Sequence, residues 1–244
     1  MFFLHTLRLI LIQYGGTPVI YTKDGYGKAV EWRNAFGTFG ESNTVNEAFD
    51  VRGGRAILRS GSLMGFFGAF GGVLNGGTAH VEGNSAEVSG GTVSWDGAAS
   101  FIVARGIYGG YAHAQILHGT QTRAEAVRNT VTMTGGAIDS SVAGGYANSD
   151  NDIEANTTPS EALAEENTVT ITGGKSVGDS YIEGGYADAR SYLGNGISIA
   201  KALKNRVRMY SSFPHLGRGK LFLQRSATKN RCSFLQRQYF KWCG

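Results

Sequence analysis

The sequence predicts an all-β chain folded as a β-solenoid, a right-handed parallel β-helix, and three observations carry that expectation. Short phrases recur in a fixed order at a spacing near 38 residues. Each phrase alternates as a strand with one apolar face does. The composition of 37 glycines, 3 prolines and 41% hydrophobic residues excludes collagen, a Pro-rich linker and general disorder. It suits many short strands joined by tight turns.

The repeat is legible on its asparagines. "GNSAEVSGG", "RNTVTMTGG", "ENTVTITGG" and "KNRVRMYSS" align on Asn84, Asn129, Asn167 and Asn205, at spacings of 45, 38 and 38 residues. A second phrase falls between them: "IYGGYA" from Ile107, "VAGGYA" from Val142 and "IEGGYA" from Ile182. A third, an alanine pair, precedes each later asparagine as Ala124/Ala126, Ala162/Ala164 and Ala200/Ala202.

Each phrase has a physical reading. In "NTVTITGG", Val169 and Ile171 share one face while the threonines take the other, and β-branching favours the extended backbone. Gly173 and Gly174 are expected to end that strand through positive φ. Tyr111, Tyr146 and Tyr186 hold one repeat position and are expected to stack along the axis. The asparagines are expected in left-handed turns, with their amides forming a ladder between coils. The alanines permit close backbone approach. Two strands per unit are clear, fewer than the four of a propeller blade. Such a unit buries its apolar face only against its neighbours, so Val131, Val169 and Val207 are expected in one inward column. The inserts Asn148 to Glu161 and Asp188 to Ser198 differ in length and are expected as outer loops.

Three segments follow: an irregular start over 1–40, the repeat domain over 41–210, and a non-repeat basic tail over 211–244. "SNTVNEAFDVRGG" and "GFFGAFGG" are weaker early copies of the phrases. "MFFLHTLRLILIQY" is too short to span a bilayer and lacks the features of a good signal peptide, so it reads as a strand or an arbitrary start. Residues 1–200 hold 12 Lys plus Arg and all 19 acids, whereas residues 201–244 hold 11 Lys plus Arg and no acid. Glycine pairs, acids and repeat vanish together after Tyr210, as they would after a change of reading frame. On that expectation the other frames of the gene restore a glycine pair and a GGY phrase. The two cysteines, Cys232 and Cys243, lie in this tail, and with His215 alone they form no zinc site. Aromatics among the basic residues of "RCSFLQRQYFKWCG" suit single-stranded nucleic acid, but no nucleic-acid partner is expected.

Over residues 40–210 the ordered phrases N-x-V-x-[IM]-x-G-G and apolar-x-G-G-Y-A resemble the passenger regions of bacterial autotransporters, the surface part of type V secretion proteins. The resemblance implies a β-helical stalk exported through the outer membrane, serving adhesion or display at the cell surface, or secreted. Its partner would be a host-surface protein or carbohydrate. The outer membrane would enter only through a translocator barrel, which residues 211–244 are too few to hold, so the chain reads as a fragment.

No catalytic, cofactor or metal site emerges from the residues. Asp150, Asp152 and Glu154 alternate and would share a face, yet lack the glycine and spacing of calcium loops, so a solvated acidic loop is expected. His5, His80, His113, His118 and His215 lack metal-ligand spacing and are expected as surface residues. No G-x-S-x-G is present, and "GYGKAV" from Gly25 is no phosphate loop. The expected function is therefore a non-catalytic surface module, a stalk or adhesin. The alternative is a polysaccharide lyase or hydrolase on the same β-helix.

Overall fold

Three parallel sheets wrap one axis in the computed structural model. It describes residues 34–94, 105–116, 119–151, 159–191 and 197–210, and the backbone of 10–12, 19–20 and 221–232. The first sheet orders Ile10–Ile12, Asn34–Ser42, Gly65–Val73, Gly106–Ile116, Ser141–Asn151, Ser180–Ser191 and Leu221–Cys232. The third orders Glu47–Arg52, Gly77–Glu82, Thr122–Val127, Ser160–Glu165 and Ser198–Leu203. The second runs from Val19–Ile20 through Arg55–Leu58, Ser85–Val88, Thr130–Asp139 and Thr168–Ser176 to Arg206–Met209. Short strands at Ser62–Leu63 and Thr92–Ser94 extend it beside Ala137–Asp139. Each coil passes from first to third to second sheet, and every neighbouring pair along these three stacks is parallel. The chain is a parallel β-solenoid.

Its columns follow the repeat phrases. Val131, Val169 and Val207 lie in one inward column with Ala86, and Met133, Ile171 and Met209 lie in the next with Val88. Facing them, Phe66, Ile107, Val142 and Ile182 line the first sheet. Each fully buried valine, isoleucine, methionine or phenylalanine here stabilises the stack by about 1.5–3 kcal/mol, while Val207 and Met209 are only partly buried. The alanine phrase forms a third strand, where only two were expected per unit. Alternation had too little apolar contrast to reveal it, because its inward residues are alanines facing Ala112, Ala114, Ala147, Ala187 and Ala189. Small residues on both sides let the first and third sheets close to a narrow compartment. In the early coils larger residues face glycine instead: a methyl group on Gly71 would meet Val81 at 2.7 Å.

Several local expectations need correction. The glycine pair does not end its strand: Thr130–Asp139 and Thr168–Ser176 run on through a shift of register between Met133 and Ala137. Gly136 and Gly174 hold φ of 84° and 102°, so glycine supplies a bend within a continuing strand. The asparagines are not the left-handed residues. Those stand one place earlier, at Gly53, Gly83, Arg128, Glu166 and Lys204, with φ between 53° and 68°. The inserts are strand at both ends: Asn148–Asn151 and Asp188–Ser191 continue the first sheet. Residues 152–158 and 192–196 lie outside the described residues. The boundary at residue 41 falls inside Asn34–Ser42, which already pairs with Gly65–Val73. Within the basic tail, Leu221–Cys232 pairs in parallel with Ser180–Ser191.

The asparagines build an interior ladder. The backbone N–H of Asn84, Asn129 and Asn167 each donates to the Oδ1 of the next asparagine, at 3.0, 2.9 and 2.9 Å. Each Nδ2 donates to that same oxygen, at 2.9, 3.2 and 3.0 Å. It also bonds a carbonyl of the preceding coil: Val81 for Asn129, Ala126 for Asn167, Ala164 for Asn205. These amides are buried and fully engaged, which makes a polar line affordable inside an apolar stack.

Candidate functional site

The outer face of the first sheet carries two parallel stripes, one aromatic and one polar. Inward Ile107 and Ala112 flank Tyr108 and Tyr111, and the aromatic cluster draws only on first-sheet residues. Tyr108 and Tyr111 share that face despite their odd spacing because Gly109 is skipped in the pairing. One column stacks Phe39, Phe70, Tyr111, Tyr146 and Tyr186 at centroid spacings of 5.1, 5.5, 4.7 and 4.8 Å. These approach the strand spacing of about 4.8 Å, so register alone brings ring over ring. The expected tyrosine stack therefore forms, on the outer face. Burial holds the phenols of Tyr108, Tyr111 and Tyr146 well above their ordinary pKa.

A second column stacks Phe36, Phe67 and Tyr108, then continues through Ala143 to Glu183. Glu183 is 9% exposed, and burial pushes its carboxyl up to about 7.

Two and four residues beyond each stacked tyrosine, alternation returns the chain to the same face. These positions are His113 and Gln115, Asn148 and Asp150, Asp188 and Arg190. Asn148 Nδ2 donates to Asp150 Oδ2 at 2.8 Å, and His113 Nε2 lies 3.6 Å from the same oxygen. Arg190 Nε donates to Asp188 Oδ2 at 3.0 Å and stands 3.9 Å from Asp150 Oδ1. Among the described residues, three buried oxygens here have no hydrogen-bond partner: Asn148 Oδ1, Asp150 Oδ1 and Asp188 Oδ1. Asn148 is 8% exposed and Asp188 is wholly buried.

The residues singled out in the sequence fall elsewhere or are regrouped. Asp150 belongs to this row; Asp152 and Glu154 lie outside the described residues. His113 joins it half-buried, and His80 is bonded to Glu125 at 2.7 Å and Glu82 at 3.1 Å on the third sheet. His5, His118, His215, Cys243, "GYGKAV" and the opening residues up to Leu9 are outside the described residues, as is the side chain of Cys232. Among the described residues no three His, Cys, Asp or Glu are placed to hold a metal ion. A groove of about 790 Å³ near the last described coil is lined by Arg128, Glu166, Lys204, Arg206 and Arg208. Its Arg128 and Lys204 are engaged in ion pairs between coils, to Glu82 and Glu165. Sequence reasoning missed the polar row. Its signal was the alternate positions after each "GGY", obscured when Asp150 was grouped with the acids that follow it.

Against known protein families, curated proteins and solved structures, the chain finds no match.

Proposed function

We propose that the chain is a non-catalytic, surface-exposed β-solenoid segment of an autotransporter-like protein, acting as a structural stalk and in adhesion. The observation that supports this reading is the unbroken register of the valine, alanine and tyrosine columns and the asparagine ladder through successive coils. A stack with nearest-neighbour contacts lengthens coil by coil without changing its cross-section, which is what a rod projecting from a membrane requires. The ordered N-x-V and GGYA phrases support the address. Adhesion would use the outer face of the first sheet, where polar groups stand at regular axial intervals.

The test fuses the full chain between an export signal and a translocator barrel in a bacterial host. The expected result is a chain on intact cells that external protease and antibody reach, with increased attachment to glycan-coated surfaces. A chain retained inside the envelope overturns the surface reading. Incubation with acidic glycans, with and without calcium, checks the non-catalytic part: new unsaturated ends overturn it.

A further inference from the structure

The outer face of the third sheet changes character toward the last described coil. Its outward columns read Thr78, Arg123, Glu161, Ile199, then His80, Glu125, Leu163, Lys201, then Glu82, Val127, Glu165, Leu203. Ile199 and Leu203 thus stand where the coil before carries glutamates. Among the described residues, three of the five exposed large hydrophobic side chains fall within residues 197–210: Ile197, Leu203 and Tyr210, at 64%, 44% and 69% exposure. Exposed apolar side chains scattered singly mean little, but a cluster at one end of a rod marks a contact surface.

Cations fill the spaces between them. The same stretch holds Lys201, Lys204, Arg206 and Arg208 and no acid. The acids of the preceding coil are already matched, Glu161 by Arg123 at 3.2 Å, Glu165 and Glu166 by Lys204 at 3.2 and 3.3 Å. Among the described residues, Lys201, Arg206 and Arg208 enter no ion pair, so they are the surplus charge of this end. Arg206 and Arg208 line the groove of about 790 Å³. Lys201 lines a second, of about 400 Å³, together with Leu163, Ile199 and Leu203.

From this pairing of bare aliphatic side chains with unmatched cations we infer that residues 197–210 form a docking surface for an anionic phospholipid membrane. Ile197, Ile199 and Leu203 enter the headgroup layer, while Lys201, Arg206 and Arg208 meet the phosphates, their own methylene stems lying along the apolar side chains. A soluble acidic glycan would answer the cations and leave the aliphatic side chains in water. Single-stranded nucleic acid would need a series of rings to stack on, and Tyr210 is the one aromatic residue in the stretch. Only a surface that is apolar below and negative above matches both halves. This goes beyond the adhesive reading and does not depend on it.

The test is flotation of the purified full chain with vesicles of phosphatidylcholine alone and of phosphatidylcholine with phosphatidylglycerol in equal parts. The chain should float with the mixed vesicles and not with the neutral ones. Two double variants, Ile199→Ser with Leu203→Ser and Arg206→Ser with Arg208→Ser, should each weaken binding about tenfold or more, at a far-ultraviolet strand signal equal to wild type. Arg59→Ser removes an exposed cation from an early coil and should leave binding unaltered. No binding to the mixed vesicles, or equal binding to both kinds, overturns the inference. So does equal binding by wild type and both double variants, which would assign the attraction to the charge of residues 211–244. Weakening by the arginine pair alone would mark a plain polyanion site, and weakening by the aliphatic pair alone an uncharged partner; either overturns it as well. Because the vesicles are added to the chain in solution, failure here is separate from a failure of surface display.

Discussion

A methyl group on Gly145 would lie 2.6 Å from Nδ2 of Asn167, a residue 22 positions further along the chain. The same relation joins Gly110 to Asn129 and Gly185 to Asn205, at 2.7 Å each. The second glycine of "GGYA" is thus the space into which the interior amide of its own coil fits. The first described coil reverses the pair: Thr38 stands in the column that continues through Ala69 to Gly110, Gly145 and Gly185, and Gly54 stands where later coils have asparagine. A methyl on Gly54 would meet Thr38 Oγ1 at 3.0 Å.

Gly145→Thr and Asn167→Gly should therefore each destabilise the stack, the first by overpacking of about 1–3 kcal/mol. Combined, they should cost less than their sum by about 1–3 kcal/mol. A double-mutant cycle from denaturant titrations measures this coupling. Strict additivity would mean that the glycine is there for the turn alone.

Asn129→Ala removes the oxygen that accepts both the backbone N–H and the Nδ2 of Asn84, and the donor to Val81. With each orphaned buried group costing about 1–3 kcal/mol, a loss of several kcal/mol is expected. Hydrogen exchange should quicken first at the amide of Asn84.

Gly83 isolates conformation from sterics. Its φ is 67°, and a methyl group there meets nothing within 4 Å. Gly83→Ala should cost about 1 kcal/mol, from the left-handed backbone alone. A larger loss by calorimetry would point to a contact that the open space does not suggest.

Glu183 makes the stack sensitive to pH. Its carboxyl titrates at about 7 because of burial, above its ordinary 4.5. Between these values the folded chain holds more proton than the unfolded one, so stability falls as pH rises from about 4.5 to 7, by on the order of 3 kcal/mol. Above 7 the loss is complete. Glu183→Gln should flatten this dependence and raise the melting temperature at pH 8. An unchanged slope would place the carboxylate in contact with water.

Tyr146 separates stacking from its hydroxyl. It lies between Tyr111 and Tyr186 with interplanar angles of 5° and 22°. Tyr146→Phe should hold stability within about 0.5 kcal/mol. Tyr146→Ala breaks the column and should cost about 3 kcal/mol. Near-ultraviolet circular dichroism should lose its stacked-ring signal in the alanine variant alone.

The sequence by itself determined that the chain stacks and which residues form the valine and tyrosine columns. Strand alternation has a period of two, and phrases recurring in a constant order bring like residue over like, so Val131, Val169 and Val207, and the tyrosines of "GGYA", were legible without coordinates. The alanine strand was not, because alanine gives alternation little contrast. Nor were the partners across the interior. Only the tertiary structure paired Gly145 with Asn167, moved the left-handed turn to Glu166, and set His113, Asn148, Asp150, Asp188 and Arg190 in one row. The physical reason is that repetition fixes contacts along the axis, where each residue meets its own counterpart. Contacts across a coil join unlike phrases, and the bends that bring those phrases together depend on the space left by every other side chain.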